Sequence, residues 1–164
     1  MSTEYPLAAL EARLQRAEDH LAILNLLNTY GPLVDSGSDQ DAVGLWVEGG
    51  GYNFTRPGGG AGRLEAPEEL SALYRSDPHR ELITTGSAHV TLTPRISVDG
   101  DEAQAVGYSL VVEREGRRWY LERAAINHWT FKRTPDGWRI VERFNRTLTG
   151  TEETHELMRR VLSI

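Results

Sequence analysis

The chain has 164 residues, of which 39% are hydrophobic and 26% are charged, and its formal net charge is −6 without a single cysteine. This length suits one globular domain with its own core, and the composition excludes disulfides, thiolate metal ligands and a cysteine nucleophile. No apolar run reaches the ~20 residues that span a bilayer, and no basic stripe is present, so we expect neither a membrane nor a nucleic-acid partner. Residues 1–4 lack the pattern of a secretion signal, so we expect a cytoplasmic protein.

Helices are predicted over about residues 6–47. Apolar residues recur there at steps of three and four, which predicts one apolar helix face: Leu7, Leu10, Leu14, Ala17, Leu21 and Leu24. Asp19 suits an N-cap, so one long helix and two helices in tandem both remain open. Gly31 and Pro32 should bend or end the helix. A short helix is then expected over residues 42–46, before the break at Gly49–Gly51.

The segment 51–78 mixes element types. A strand is predicted over residues 52–55 and a flexible, glycine-rich loop over residues 57–62. Pro67 should open a short helix that ends near Asp77 and Pro78.

Strands dominate from about residue 84 to residue 149. Apolar and polar residues alternate around His89, and turns at Gly100, Gly116 and Gly137 join the strands into an antiparallel meander. A C-terminal helix is predicted over about residues 151–162. Helices followed by a meander form a single domain of the α+β class.

The two long strands of this meander carry apolar residues on both faces. We expect one face to hold Trp119, Leu121, Trp129 and Phe131, and the other to hold Tyr120 and Ile126. An antiparallel sheet that is wet on one side is polar on that side, so this pattern favours a second subunit over the free face. Scattered exposed apolar residues are the alternative.

Asp35 and His89 are the main candidates for chemistry. Asp35 follows the long helical stretch and His89 lies in the alternating strand. An aspartate that orients a histidine makes a base that works near neutral pH without a cofactor. The alternatives are an Asp35 that bonds nearby backbone amides and a His89 that faces water.

The order of several short motifs is similar to a known family. Tyr30 lies five residues before Asp35, residues 39–46 read Asp-x-Asp-x-x-x-x-Trp, His89 precedes a Val-Asp-Gly-Asp turn, and residues 136–140 lead to Arg143. From about residue 21 to residue 150 the chain resembles the SnoaL-like branch of the nuclear transport factor 2-like superfamily. The resemblance implies a cone-shaped, curved antiparallel sheet wrapped around N-terminal helices, the cystatin-like fold. It also implies a deep pocket and assembly into a homo-dimer or homo-trimer.

The functional relatives in this resemblance are scytalone dehydratase, the hexachlorocyclohexane dehydrochlorinases and the bile acid 7α-dehydratases. In these lyases an aspartate at a helix end holds a strand histidine, which removes a proton from the substrate. The resemblance places Asp35 and His89 at those positions. It gives Tyr30 and Arg143 further catalytic roles, because a tyrosine of the bile acid dehydratases and an arginine of the dehydrochlorinases match them. Thr93 and the glycine-rich loop depart from the pattern and leave the substrate open.

The expected substrate-binding residues are mostly apolar or aromatic, which favours a small hydrophobic ligand: Trp46, Tyr52, Phe54, Leu73, His128, Trp129, Phe131 and Asn145. Apolar residues alone do not distinguish a pocket from a core, and Tyr52 suits either place. His20, His79 and His155 are expected at the surface. No metal and no cofactor are expected, because ligand spacings and nucleotide-binding motifs are missing from the sequence.

The sequence thus predicts a cofactor-independent lyase or isomerase, dehydratase-like, acting on a small hydrophobic cyclic or polyketide-like substrate. A non-catalytic ligand-binding protein, or the small structural subunit of an aromatic-ring oxygenase, is the alternative. An isomerase that uses Asp35 itself as the base beside Tyr30 also stays open.

Overall fold

A computed structural model describes residues 7–164 of the protein. The expected helix start at residue 6 and the segment 1–4 lie outside the described residues. The helices are α1 Leu7–Asp35, α2 Asp39–Val43, α3 Glu68–Tyr74, α4 Asp77–Thr85 and α5 Glu152–Arg159, followed by a 3-10 turn over Arg160–Leu162. The strands are β1 Trp46–Thr55, β2 Ala61–Glu65, β3 Ser87–Thr91, β4 Arg95–Asp99, β5 Glu102–Glu115, β6 Arg118–Thr134 and β7 Gly137–Thr147. Among residues 7–164, none of the helices has both the length and the apolar character needed to traverse a membrane.

The seven strands form one curved, open sheet in the order β2-β1-β7-β6-β5-β3, and β4 pairs with β5 beside β3. The N-terminal helices packed against the inner face of this sheet confirm the predicted α+β fold. The sheet is not wholly antiparallel, however, because β1 runs parallel to β7. A long connection allows this pairing, since parallel strands need a crossover rather than a tight turn. The meander β5-β6-β7 is antiparallel as predicted.

Helix α1 is one continuous helix of 29 residues, which settles the alternative that Asp19 left open. Asp19 does not cap a helix but is buried and accepts a hydrogen bond from Trp138 Nε1 at 3.1 Å. The helix runs through Gly31 and Pro32 and ends at Asp35. Its buried positions follow the 3-4 spacing of an amphipathic helix: Ile23, Leu26, Leu27, Tyr30 and Val34. The predicted apolar face was misplaced, because Leu7, Leu10, Leu14 and Leu21 are more than half exposed.

Several element boundaries differ from the predictions. Trp46 begins β1 instead of ending a helix, and β1 continues through Gly49–Gly51, where a break was expected. The predicted loop over residues 57–62 contains the start of β2, which pairs with β1. Helix α4 begins at Asp77, where a helix was expected to end, because Pro78 suits the first turn of a new helix.

The main core lies between the helices and the inner face of the sheet, with Trp46, Leu70, Trp129, Phe131 and Ile140 at its centre. A smaller cluster on the outer face joins Val106 and Ile126 of the sheet to Leu157 of α5.

A register shift between Val111 and Val112 changes which side chains of β6 face inward. Arg123 pairs with the inward Val111, and Leu121 pairs with Val112, so the N-terminal part of β6 alternates the other way. Trp119 and Leu121 therefore lie on the outer face, opposite to Trp129, and the prediction that these residues share one face was wrong.

Candidate functional site

A cavity of about 340 Å³ opens between the inner face of the sheet and helices α1, α3 and α4. Its polar wall includes Tyr30, Tyr74, His79, His89, Arg123 and Arg143. Its apolar wall includes Val34, Tyr52, Phe54, Leu73 and Leu82. An apolar pocket with a few convergent polar groups is the usual form of a small-molecule site.

Asp35 and His89 meet at this cavity. Asp35 Oδ1 lies 2.7 Å from His89 Nδ1, and Asp35 Oδ2 accepts the backbone N–H of His89 at 2.7 Å. The hydroxyl of Ser87 also donates to Oδ1, at 3.0 Å. A carboxylate beside Nδ1 fixes the ring as the Nδ1–H tautomer, which leaves a lone pair on Nε2. Because His89 lines the cavity, Nε2 is the ring nitrogen that can accept a proton from a ligand.

The carboxylate of Asp35 stays ionised in this setting. Burial raises its pKa, but the hydrogen bonds from the His89 ring, from the His89 backbone and from Ser87 outweigh burial, so the pKa of Asp35 lies below its usual value of 3.8. Its side chain is 18% exposed and that of His89 is 20% exposed. The pair is thus shielded from bulk water but open on the cavity side.

The close approach of α1 to β3 makes this contact possible. A Cβ atom on Gly31 would overlap the carbonyl oxygen of His89. Only a glycine therefore lets the last turn of α1 lie against the backbone of β3. Asp35 then lies one turn further along, at the helix end that faces the histidine.

Tyr30 and Arg143 are linked to each other and to Tyr74. Arg143 Nη1 lies 3.2 Å from the Tyr30 hydroxyl, which is 2.7 Å from the Tyr74 hydroxyl. Burial raises the pKa of Tyr30, although the nearby Arg143 guanidinium acts against this, and burial also raises the pKa of Tyr74 well above its usual value. Both phenols therefore keep their protons and can donate hydrogen bonds.

The predicted substrate-binding residues divide between the cavity wall and the rest of the protein. Tyr52, Phe54 and Leu73 line the cavity. Three aromatic residues are buried in the core behind the cavity and are not among the residues that form its wall: Trp46, Trp129 and Phe131.

Asn145 and His128 also lie away from the cavity wall. Asn145 donates to Asn127 Oδ1 at 2.7 Å, in the shell of polar groups behind Arg143. His128 has its ring on the outer side of the sheet, where Nε2 is 2.8 Å from Gln104 Oε1 and Nδ1 is 2.9 Å from Arg160. His128 is thus separated from the Asp35–His89 pair by the sheet itself.

His79 is a cavity residue that the sequence analysis placed at the surface, and that prediction was wrong. Its ring centroid lies 5.9 Å from that of His89, and its Nε2 is 3.3 Å from the carbonyl oxygen of Val34. Nε2 must carry the proton, since a carbonyl oxygen only accepts. Desolvation lowers the pKa of His79, and the Val34 carbonyl offsets only part of this effect. No sequence signal marked His79, because α4 itself was not predicted.

No group of three His, Asp or Glu side chains in residues 7–164 has the arrangement of metal ligands.

A family model described as a SnoaL-like domain matches residues 15–144. No curated protein matches the chain. A nuclear transport factor 2-like protein with a cystatin-like fold from Novosphingobium aromaticivorans is 36% identical, with a TM-score of 0.85 over 94% of this chain and 98% of that chain.

More distant structures share the fold alone. A protein of Streptomyces avermitilis that is described as a candidate dehydratase of the same superfamily is 14% identical, with a TM-score of 0.62 over 82% of this chain and 99% of that chain. A protein of Catenulispora acidiphila is 14% identical, with a TM-score of 0.70 over 82% of this chain and 94% of that chain.

Proposed function

Since the chain belongs to the SnoaL-like domain family, we propose that it is a cofactor-independent lyase or isomerase of the dehydratase type. The observation that carries this proposal is the hydrogen-bonded Asp35–His89 pair at the wall of a largely apolar cavity. A fixed imidazole with a free Nε2 is suited to take a proton from a carbon acid. The substrate we propose is a small cyclic or polyketide-like molecule with a carbonyl group next to that carbon.

In the first step His89 Nε2 removes the proton, and the bonding pair moves toward the substrate carbonyl. Asp35 stabilises the imidazolium that forms, because its carboxylate lies 2.7 Å from Nδ1. The buried hydroxyl of Tyr30 and the guanidinium of Arg143 stabilise the negative charge that develops on the carbonyl oxygen. Both line the same cavity as His89.

In the second step the enolate re-forms the carbonyl while the carbon–carbon double bond forms and the β-hydroxyl leaves. The protonated His89 gives its proton to that hydroxyl, which departs as water. His89 returns to its neutral state, so the cycle needs no other proton donor and no co-reactant. Returning the proton to a different carbon would instead give an isomerase.

The base can be tested without the natural substrate. A nitrobenzisoxazole opens to a coloured phenolate when a base removes one proton. The phenolate oxygen is a good leaving group, so the ring opens without an acid catalyst. Replacement of His89 by Gln should lower this rate by about 10²–10⁴-fold, the usual contribution of general base catalysis. His155→Gln is the matched control, because His155 is exposed on α5, and this variant should keep the rate.

Two other results would change the proposal. If His89→Gln opens the probe as fast as the unchanged protein, His89 is not the base. If the protein adds nothing to the rate of free imidazole but still binds apolar ligands, a ligand-binding protein without catalysis is the better description.

We also propose a homo-dimer or homo-trimer and a single SnoaL-like domain in the cytoplasm. A chain without cysteine is compatible with that reducing compartment. Trp119 and Leu121 on the outer face of the sheet are each 57% exposed, and Tyr108 is 45% exposed. Large exposed apolar side chains on a sheet face are typical of subunit contacts. Sedimentation of Trp119→Glu should show a smaller species than the unchanged chain, and a monomer for both proteins would refute the assembly.

A further inference from the structure

Arg143 is a buried cation without a carboxylate partner among the described residues. Only 7% of the surface of Arg143 is accessible to solvent, and no Asp or Glu of residues 7–164 forms an ion pair with it. Its only hydrogen-bond partners in that part of the chain are neutral, namely Asn127 Oδ1 at 2.9 Å and the Tyr30 hydroxyl at 3.2 Å. Buried charges are normally paired, because taking a charge out of water is costly.

The guanidinium is instead surrounded by aromatic rings. Its central carbon lies 4.3 Å from the ring centroid of Trp129, 4.9 Å from that of Tyr52 and 5.2 Å from that of Tyr30. Cation–π contacts offset part of the desolvation. They leave three of the five N–H donors without a protein acceptor in residues 7–164, and Arg143 is part of the cavity wall. A planar oxyanion is the partner that matches such a free fork of donors.

The rest of the cavity wall has the same electrostatic character. A second arginine, Arg123, lines it, and none of its described lining residues is Asp or Glu. The chain as a whole carries 24 acidic residues and a net charge of −6, so a wall with two arginines and no acid differs from the average surface. Asp35 lies behind His89, and its carboxylate is hydrogen-bonded to the ring and the backbone of that residue.

We propose that the ligand of this cavity is a planar monoanion, a carboxylate attached to a small aromatic or cyclic body. The carboxylate binds the free N–H donors of Arg143, and the apolar body packs against Tyr52, Phe54 and Leu73. In this narrower version of the mechanism Arg143 anchors the carboxylate, and the Tyr30 hydroxyl stabilises the carbonyl oxygen of the reacting group. This inference rests on the proposed function and narrows it, because the anchored carboxylate fixes which carbon of the substrate faces His89. The ligand is then not merely hydrophobic but carries one negative charge at a defined end.

Two probes of nearly the same shape test the charge. Cinnamate and cinnamamide differ in one carboxylate, and calorimetric titration gives the dissociation constant of each. Cinnamate should bind at least about tenfold more tightly, because a hydrogen bond to a charged group is about twice as strong as a neutral one. The preference should persist at physiological ionic strength, since buried pairs are screened little.

Variants assign the preference to Arg143. Arg143→Gln should bind both probes about equally, and Arg143→Lys should retain part of the preference because it keeps the charge but not the planar fork. Arg117→Gln is the control, since Arg117 is exposed in the turn between β5 and β6. If a variant fails to fold, the comparison of cinnamate with cinnamamide on the unchanged protein still decides the question. Equal binding of the two probes, or binding of neither, overturns the inference.

A second pair of probes identifies the kind of anion. If para-nitrophenolate is preferred over its neutral methyl ether while cinnamate is not preferred over cinnamamide, the site takes an enolate-like oxygen, and the carboxylate assignment is wrong.

The result is separable from that of the base test. His89→Gln should keep the cinnamate preference while it loses benzisoxazole opening. A His89-dependent rate without an anion preference would refute this inference and leave the proposed lyase intact.

Discussion

Replacement of Asp35 by Asn should inactivate the proposed base by changing its tautomer rather than by moving it. Asp35 Oδ2 accepts the backbone N–H of His89 at 2.7 Å, and a backbone N–H can only donate. The amide oxygen of the substituted side chain is therefore expected to take the place of Oδ2. The amide NH₂ then takes the place of Oδ1, which lies 2.7 Å from His89 Nδ1.

The histidine must adapt to that NH₂ group. Nδ1 has to accept, so the proton moves to Nε2, which is the nitrogen that should receive the substrate proton. The variant also loses the negative charge that stabilises the imidazolium. We expect the rate of nitrobenzisoxazole opening to fall by about 10²–10⁴-fold, as much as loss of the base itself, because the equivalent change in a serine-protease triad also disables its histidine.

Stability should change much less than activity. The Ser87 hydroxyl, now 3.0 Å from Oδ1, can rotate to accept from the amide, so each partner keeps a hydrogen bond. Exchange of one hydrogen-bond set for another is worth about 1 kcal/mol, which corresponds to a shift of roughly 2–4 °C in Tm for a chain of this size.

Two measurements check this reasoning together. Nitrogen NMR of the histidine ring reports which nitrogen carries the proton, and the benzisoxazole assay reports the rate. The tautomer should switch in Asp35→Asn and the rate should fall with it. A rate within about threefold of the unchanged protein, equal to less than 1 kcal/mol of barrier, would refute the role of Asp35. A lost rate with an unchanged tautomer would refute the mechanism given for it.

Two further predictions concern the scaffold. Gly31→Ala should lower the free energy of unfolding by about 3 kcal/mol or more, because the new methyl group overlaps the carbonyl oxygen of His89 and forces α1 away from β3. Thermal unfolding beside the exposed control Asn28→Ala measures this, and equal Tm values would contradict it. Asp19 accepts two hydrogen bonds from Arg133, which lower its pKa from 3.8 to about 2. The pKa of Asp19 is lower in the folded protein than in the unfolded chain, so the ion pair stabilises the fold fully above about pH 4. Because Arg133 is one-third exposed, we expect this stabilisation to be only about 1–2 kcal/mol. This stabilisation should disappear as the pH falls through about 2. The free energies of urea unfolding of the unchanged protein and of Asp19→Asn should therefore become equal there. A difference that stays constant with pH would contradict the ion pair.

The hairpins of the sheet could be predicted because their signals are local. Gly100, Gly116 and Gly137 all have positive φ, between 59° and 100°, which is the conformation that tight turns require and that glycine adopts without strain. The alternation between those turns then sets the strands. The parallel pairing of β1 with β7 brings together residues about 90 positions apart. No local pattern encodes it, and the helix-like spacing up to Trp46 favoured the wrong element.

The candidate site was only partly predictable, for a similar reason. From residue type alone, Asp35 could equally bond nearby backbone amides and His89 could equally face water. Only the family resemblance predicted that the two side chains meet. The side of the sheet occupied by His128 depends on strand register, which a single bulge or shift reverses. Asn127, which supports Arg143, had no sequence signal, because an asparagine in a strand is recognisable only from its buried partners.

The C-terminal end of α1 explains why two histidines meet at one place. The last carbonyl groups of a helix have no partners within it, and they carry the negative end of the helix dipole. The Val34 carbonyl accepts a hydrogen bond from His79, and the next residue, Asp35, accepts from His89. One helix end thus holds both rings, the first through its backbone and the second through a side chain. Because a negative helix end favours a nearby cation by about 0.3–1 kcal/mol, the same backbone that positions His89 also stabilises the imidazolium it would become.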